Sequence, residues 1–244
     1  MKKNYLFIMI IGLVTLSCTK DPIPSILPID LEVEENQSIA SADTSVCYYY
    51  YNEEMVEQYE AISVSRLKSG NNVKMITVIS DKFPNSVYCF DDYEKLSKWS
   101  KIIFNVDIAD QSKKLDEFSK YYKDNNMVAC EESGDFPDEF FEKKEQIMGI
   151  KRNTLKASFW KTIYINIDRK GLNKSSGAGV PIGDFRELNN QASSIAQFGG
   201  PVWYCDYKYF EGDRLYVWGI PFQMVNDLRK PGFNDRIESM FDAF

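Results

Sequence analysis

The sequence predicts an α+β protein with a small mixed α/β region over residues 31–150 and an all-β region over residues 155–244. Three observations support this prediction. Segments with helical spacing alternate with β-branched runs before residue 150, the helical spacing then stops, and short aromatic runs separated by turn residues follow. A domain boundary is therefore predicted at residues 150–158.

Composition and charge restrict the classes of function. With 44% hydrophobic and 27% charged residues among 244, the chain has the composition of a globular protein. Its 29 basic and 36 acidic residues give a net charge of -7, which argues against nucleic acid as a partner and is compatible with cation binding. The chain has no histidine, which removes the commonest general base and the commonest nitrogen ligand of metals.

Residues 1–18 have the features of a secretory signal, because two lysines precede an apolar run from Tyr5 to Leu16. A membrane-spanning helix needs about 20 apolar residues, so the run is too short for one. Ser17 and Cys18 follow it and resemble the lipobox of bacterial lipoproteins, whose cysteine is acylated and becomes the mature N-terminus. The resemblance implies an exported protein attached to the membrane of the bacterial cell envelope through Cys18, at the outer membrane or the cell surface. An ordinary secretory signal cleaved near Cys18 is the alternative.

Residues 19–30 read TKDPIPSILPID and are predicted to form a tether. A hydrophilic segment with several prolines suits an extended stalk better than a packed element. Stable membrane attachment needs more than one acyl chain, and a multiply acylated Cys18 would meet that requirement.

The mixed region contains several predicted elements. Helices are predicted in EEMVEQYEAISVSRL, DDYEKLSKWSKIIF, QSKKLDEFSKYY and DEFFEKKEQIM, and a strand in VKMITVI. The run Tyr48–Tyr51 could form a platform for carbohydrate or peptide, but aromatic runs more often fill cores and interfaces, and that interpretation is favoured. In the all-β region the clearest strands are FWKTIYINI, VWYCDYKYF and RLYVWGI.

Four cysteines follow Cys18, namely Cys47, Cys89, Cys130 and Cys205. In an exported protein this even number allows up to two disulfides, with three possible pairings that the spacing does not separate. They lack the CxxC spacing of a thiolate metal site.

The all-β region contains an internal repeat. The clusters Asn189–Ser194 and Asn234–Ser239, both rich in side-chain oxygens, lie 45 positions apart, and an aromatic-to-glycine hairpin precedes each, at Tyr164–Gly171 and Tyr204–Gly212. A repeat of this size indicates two supersecondary units, neither of which closes a core alone.

The repeated order of hairpin and oxygen cluster resembles the βγ-crystallin family. In that family each of two Greek-key motifs has an aromatic residue, six spacers and a glycine, then an Asn/Asp-Asn/Asp-x-x-Ser/Thr-Ser cluster. The resemblance covers about the last ninety residues, with one extra residue between Tyr204 and Gly212 and with Cys205 at the strict aromatic position. It implies a double Greek-key sandwich that binds calcium at the paired clusters.

Position by position, the resemblance implies a set of calcium ligands. Asn190 and Asp235 would offer side-chain oxygens, whereas Gln191 and Arg236 would offer backbone carbonyls. Calcium prefers six to eight oxygen ligands, which clusters of Asn, Asp, Ser and carbonyl groups supply without histidine or thiolate.

The fifth cluster position differs between the repeats. Ser193 would supply the hydroxyl of the family pattern, whereas Glu238 replaces that serine or threonine with a carboxylate that could still be a ligand. Only Asp235 and Glu238 are acidic in the clusters, so a modest calcium affinity is predicted. The alternative is that both clusters only cap loops through bonds to the backbone.

These features predict a lipid-anchored, calcium-binding protein of the cell envelope with a structural or binding role and no catalysis. One alternative is a secreted protease inhibitor on a crystallin-like scaffold, with Asn173–Gly183 as its inhibitory loop. Another is an enzyme whose active site uses carboxylates of the mixed region, such as Asp91, Asp92, Glu131 and Glu132. Neighbours in sequence face apart on a strand or helix, so solvated surface explains these pairs better.

Overall fold

In the computed structural model, the described residues are 47–63, 73–133, 135–149, 160–177, 179–219 and 222–243. They build three layers, in which four helices cover one face of a seven-stranded sheet and a four-stranded sheet covers the other. The predicted signal, the lipidation residue Cys18 and the tether lie outside the described residues.

The seven-stranded sheet combines strands from both halves of the chain. Its neighbours are antiparallel except for two parallel pairs, β9 with β3 and β4 with β1. In spatial order its strands are β11 (Ser239–Asp242), β8 (Val202–Tyr207), β9 (Glu211–Trp218), β3 (Ile76–Ser80), β4 (Ser86–Phe90), β1 (Tyr48–Tyr51) and β2 (Glu54–Val56).

The four-stranded sheet is antiparallel throughout. In spatial order its strands are β10 (Phe222–Val225), β7 (Ser194–Phe198), β5 (Trp160–Asn166) and β6 (Lys170–Gly177).

Each repeat of residues 160–243 contributes one strand segment to the sheet of the other repeat. In the first repeat Ile182 leaves the four-stranded sheet and pairs with Met240 of β11. In the second repeat β10 pairs with β7 of the first. This exchange makes two interlocked Greek keys, and it confirms the predicted double Greek-key sandwich and the α+β class.

The helices are α1 (Tyr93–Phe104), α2 (Ile108–Asp124), α3 (Val128–Ser133) and α4 (Asp138–Met148). Local signals explain their ends. Asp92 caps α1 by accepting hydrogen bonds from the backbone N–H groups of Glu94 and Lys95, and α4 ends at Gly149 in the left-handed conformation. None of the helices in the described ranges has the length and apolar character needed to cross a membrane.

Strand alternation divides the core into two parts. On β8, Trp203 and Cys205 face the helices, whereas Val202 and Tyr204 face the four-stranded sheet. All four side chains are buried, because helices cover one face of this sheet and the second sheet covers the other.

The boundary predicted at residues 150–158 does not separate two independent cores. All described residues belong to one compact unit, Thr44–Phe244. The parallel pairing of Ile76–Ser80 with Arg214–Trp218 joins the strands of the mixed region to the edge of the second Greek key. Because the two regions share a sheet and both core clusters, the division into domains at 31–150 and 155–244 is corrected.

One predicted helix begins later in the chain than expected. The segment EEMVEQYEAISVSRL begins with strand β2 at Glu54–Val56, which pairs with β1 through a tight turn. Asn52 and Glu53 form that turn with φ of 48° and 72°, so the chain reverses before the helical residues 59–63. The tyrosine run is strand β1, in which Tyr49 and Tyr51 pack against the core as favoured.

Candidate functional site

The two oxygen clusters lie at equivalent places in the two repeats. Each cluster ends with a serine that begins the last strand of its repeat, Ser194 in β7 and Ser239 in β11. Both serines are fully buried, so their hydroxyls need partners within the protein.

The serines tie each cluster to its own hairpin. Ser194 Oγ donates to the carbonyl of Asn166 at 2.6 Å and accepts from the N–H of Arg169 at 2.9 Å. Ser239 Oγ donates to the carbonyl of Tyr207 at 2.7 Å and accepts from the N–H of Phe210 at 3.0 Å. The matching bonds show that the sequence repeat is a repeat of structure.

Replacing Ser194 or Ser239 with alanine is expected to lower the free energy of unfolding by about 1–3 kcal/mol each, because each buried hydroxyl takes two hydrogen bonds to the backbone with it. Urea unfolding measures the loss. Ser133→Ala is the control, since Ser133 is exposed at the end of α3 and its loss should cost less than about 0.5 kcal/mol. Equal effects at all three serines would contradict the anchoring role.

The clusters meet across the interface between the repeats. The N–H of Asn190 donates to the carbonyl of Ile237 at 3.3 Å, and the N–H of Asp235 donates to the carbonyl of Ala192 at 2.9 Å. Asn190 and Asp235 both adopt the left-handed conformation, with φ of 56° and 54°. Asn and Asp tolerate this region better than other non-glycine residues. The predicted second-position ligands therefore hold equivalent backbone positions.

One pair of predicted ligands is in direct contact, and we call it the Asn190–Glu238 site. Asn190 Nδ2 donates to Glu238 Oε1 at 2.6 Å across the repeats. The backbone of Glu238 is held on both sides, because its N–H donates to the carbonyl of Cys205 and its carbonyl accepts from Phe185. The side chains of the pair are accessible to solvent.

The charged ammonium of Lys208, close to this site, is already paired with a carboxylate. Lys208 Nζ lies 3.0 Å from Asp184 Oδ2 in an ion pair. Burial alone would raise the pKa of Asp184, but bonds from Asn189, the N–H of Arg186 and Lys208 hold it below the usual range. Asp184 therefore stays ionised, and Lys208 remains paired with it.

The reverse combination, the fifth position of the first cluster with the start of the second cluster, lines a cleft of about 470 Å³, which we call the Ser193 cleft. It contains Ser193, the fifth-position residue of the first cluster. Asp235 lies beside it, accepting a hydrogen bond from Asn234 at 2.5 Å. The lining residues are Asn166, Ile167, Lys170, Ser193, Arg229 and Asn234.

Gln191 and Arg236 are predicted to bind calcium through their backbone carbonyls. Their side chains are hydrogen-bonded within the protein. Gln191 donates to the carbonyl of Glu187. Arg236 forms a bidentate pair with Asp206, at 2.7 and 3.1 Å, and also reaches Asp213 at 3.2 Å. Arg236 thus anchors the turn of the second cluster.

Sequence reasoning missed two residues of the site region, Lys170 and Arg229. Lys170 begins β6 at the place where Glu211 begins β9, and Arg229 lies in the turn after β10. Extending the repeat comparison from the clusters to the hairpins would have found Lys170. Arg229, in contrast, lies outside every repeated motif of the sequence.

Three carboxylates of the alternative enzyme hypothesis are held by local structure. Asp91 accepts hydrogen bonds from Tyr51 Oη at 2.5 Å and Asn52 Nδ2 at 2.7 Å, and Asp92 caps α1. Glu131 accepts from the hydroxyl of Tyr122 and from the N–H of Gly183, and burial raises its pKa. The side chain of Glu132 lies outside the described residues.

The segment predicted as an inhibitory loop is part of the fold. Residues 173–177 belong to β6, and Pro181, Ile182 and Gly183 are buried. Gly183 packs against Tyr122 so closely that an added Cβ would lie 2.6 Å from the ring. The described part of this segment therefore does not form an exposed loop.

The four described cysteines are free thiols. Cys89 and Cys205 are buried, and burial raises the pKa of Cys205 to about 11. Within the ranges that the structure describes, no three side chains of Cys, Asp and Glu come together as a metal cluster. A calcium site here would depend on amide, hydroxyl and carbonyl oxygens as well as carboxylates.

No protein-family model matches the chain, and no curated protein matches it. Among solved structures, a βγ-crystallin from an archaeon is 17% identical, with a TM-score of 0.31 over 35% of this chain and 98% of that chain. A βγ-crystallin from Ciona intestinalis is 16% identical, with a TM-score of 0.30 over 34% and 98%. Spherulin 3a from Physarum polycephalum is 23% identical, with a TM-score of 0.27 over 34% and 80%. By its own strand order, the unit of residues 160–243 is βγ-crystallin-like.

Proposed function

We propose that this chain is an exported, lipid-anchored protein of the cell envelope with a structural or binding role, and that its double Greek key binds one calcium ion at the Asn190–Glu238 site. The observation that supports calcium is the contact of 2.6 Å between Asn190 Nδ2 and Glu238 Oε1, which brings ligands of the two repeats together. Attachment to the membrane would depend on Cys18.

The chemistry of the pair suits calcium. A carboxylate and an amide oxygen are hard ligands, and the family resemblance adds the backbone carbonyl of Gln191, the residue after Asn190, as a further oxygen of the kind that calcium prefers. The oxygen and nitrogen of an amide are distinguished only by their hydrogen bonds. Rotation of the Asn190 amide would exchange its donor for an oxygen ligand beside Glu238.

A single ion is proposed because the two places differ in charge. Glu238 supplies a carboxylate to the Asn190–Glu238 site, whereas Ser193 stands at that position in the Ser193 cleft, where the neighbouring carboxylate is that of Asp235, bound by Asn234. Lys170 and Arg229 also line the cleft; the positive charge of Lys170 opposes a divalent cation, whereas that of Arg229 is paired with Asp227.

A calcium ion at this place would have a structural effect. Asn190 belongs to the first repeat and Glu238 to the second, so one ion would cross-link the two Greek keys. Because such a ligand binds the folded state only, it stabilises the fold by mass action, about 2.7 kcal/mol at a hundredfold excess over its dissociation constant.

The test is thermal unfolding of the full chain with excess calcium and with a chelator. We expect calcium to raise Tm in the parent, and this rise to disappear in Asn190→Ala and in Glu238→Gln. Isothermal titration should give one ion per chain.

Gln191→Ala is the matched control. It removes an exposed neighbouring side chain but keeps the backbone carbonyl, so the calcium response should remain. An unchanged Tm in the parent would mean that the clusters only cap loops. A response that survives in Glu238→Gln and disappears in Ser193→Ala would place the ion in the Ser193 cleft instead.

A further inference from the structure

We infer that the Ser193 cleft binds an oxyanion of the phosphate or sulfate type. The cleft has a volume of about 470 Å³, and five of its six lining residues have hydrogen-bond donors. Those five are Asn166, Lys170, Ser193, Arg229 and Asn234.

The donor set is matched to a tetrahedral oxyanion. Lysine and arginine supply positive charge, whereas the amides and the serine hydroxyl supply neutral donors; no carboxylate is among the lining residues that the structure describes, and the neighbouring carboxylates of Asp235 and Asp227 are bound by Asn234 and Arg229. Charged donors form the strongest hydrogen bonds with phosphate and sulfate oxygens. The same set lacks the anionic oxygens that would hold a cation.

The residues of the first repeat at this cleft are more positively charged than their counterparts in the second repeat. Lys170 begins β6 where Glu211 begins β9, and Ser193 precedes β7 where Glu238 precedes β11. The serine anchors place these residues at matching points of the two hairpins and clusters. Two acidic positions of the second repeat are therefore basic and neutral in the first, whereas at the third matched position Asp235, beside the cleft, corresponds to the neutral Asn190.

The guanidinium of Arg229 is held in place beside the cleft. Its Nε lies 2.8 Å from Asp227 Oδ1 and its Nη2 lies 2.7 Å from Asp227 Oδ2. This bidentate pair fixes the plane of the group, and Nη1 makes no hydrogen bond to the described part of the chain. An oxyanion would meet a fixed donor at Nη1 and the mobile ammonium of Lys170.

Two sources could supply the anion, a free inorganic ion or the phosphate of a lipid headgroup. Both present the same oxygens to the cleft. They differ because the headgroup phosphate of a phospholipid is a diester, which has two unesterified oxygens in place of four in inorganic phosphate.

The experiment measures Tm and titration heats of the full chain in chelator at constant ionic strength. The probes are inorganic phosphate, inorganic sulfate and glycerophosphoglycerol, the soluble headgroup diester of phosphatidylglycerol, with chloride as the reference ion. We expect phosphate or sulfate to raise Tm above chloride. Lys170→Glu, which installs the charge of Glu211, should weaken that binding at least tenfold.

Lys120→Glu is the matched control, because it makes the same charge change at an exposed position of α2 and should leave binding unchanged. Arg229→Gln is a second cleft variant that should weaken binding if Lys170→Glu does not fold. A response to the diester would identify the lipid headgroup as the source. Equal responses to chloride and to all three probes, or equal weakening by Lys170→Glu and Lys120→Glu, would overturn the inference. Because chelator removes calcium, this result is independent of the proposed calcium site.

Discussion

Replacing Arg214 with alanine is expected to lower the free energy of unfolding by about 3–5 kcal/mol, because the change opens a cavity in the core and leaves buried oxygens of Ser112 and Phe210 without their donor. Arg214 lies on β9 and reaches across to α2. Its Nη1 donates to the carbonyl and the hydroxyl of Ser112, both at 2.6 Å, and its Nη2 lies 2.5 Å from Asp116 Oδ1. Nη2 also donates to the carbonyl of Phe210 at 2.8 Å. One side chain thus joins the helical layer to the second Greek key.

Lys74→Ala is the matched control, because Lys74 contacts the same carboxylate. Its Nζ lies 2.5 Å from Asp116 Oδ1, but the side chains of Lys74 and Asp116 are 35% and 42% exposed. Partly exposed ion pairs contribute little, so this change should cost less than about 1 kcal/mol. Urea unfolding of both variants gives the comparison. Similar losses of unfolding free energy in the two variants would show that the contact between β9 and α2 depends on the charge of Asp116 and not on the buried hydrogen bonds of Arg214.

Local signals in the sequence account for most of the elements. The helix predicted in DEFFEKKEQIM is α4, Asp138–Met148, because a proline precedes it and a glycine ends it. The strand predicted in FWKTIYINI is β5, Trp160–Asn166. In both cases the side chains that decide the conformation lie within a few residues of the element.

The joint between the two halves could not be predicted in this way. Strand β3 pairs in parallel with β9, and Val78 lies opposite Tyr216, more than a hundred positions later in the chain. One indication was present in the run VWYC of β8. Four consecutive apolar residues indicate a strand that is covered on both faces, which a small two-sheet unit with one solvated face would not require.

The positions of the two clusters could be predicted from the sequence, whereas the charges around them could not. The clusters at Asn189–Ser194 and Asn234–Ser239 lie at equivalent positions, and the contact of Asn190 with Glu238 joins the second position of one cluster to the fifth position of the other. Lys170 and Arg229 escaped notice because they lie outside the cluster motif and reach the cleft through the hairpin and the turn after β10. A sequence pattern identifies residues that belong to the same motif. Residues that only line the same cleft can be identified once the fold is known.

The stability of the protein is expected to rise between pH 7 and pH 9.5 through Lys144, by about 2 kcal/mol relative to Lys144→Met. Lys144 lies on α4 with 4% exposure, and its Nζ donates to the carbonyl of Gly179 at 2.8 Å. Burial lowers the pKa of Lys144 to about 8, with a smaller opposing effect of Asp242 and a further lowering by Lys161.

The direction of this pH effect follows from the number of protons that the folded and unfolded states bind. In the unfolded chain the pKa of Lys144 returns to 10.5, so above pH 8 the unfolded state binds more protons than the folded state. Raising the pH through this window therefore favours folding, and below pH 8 the full cost of the buried ammonium is present. Burial raises the pKa of Cys205, Tyr204 and Tyr216, which acts in the opposite direction from about pH 9 upward. These groups are unchanged in Lys144→Met, so their effect cancels when the two proteins are compared.

The measurement is urea unfolding of the parent and of Lys144→Met at several pH values. Methionine keeps the aliphatic contact with Phe241, whose ring lies 4.8 Å from the ammonium, and removes the titration. Lys120→Met, at an exposed position of α2, should follow the pH dependence of the parent. If the parent and Lys144→Met show the same pH dependence, then Lys144 stays fully charged across this range. Asp242 and Lys161, which form an ion pair of 2.8 Å beside it, would then compensate the buried charge more completely than its depth suggests.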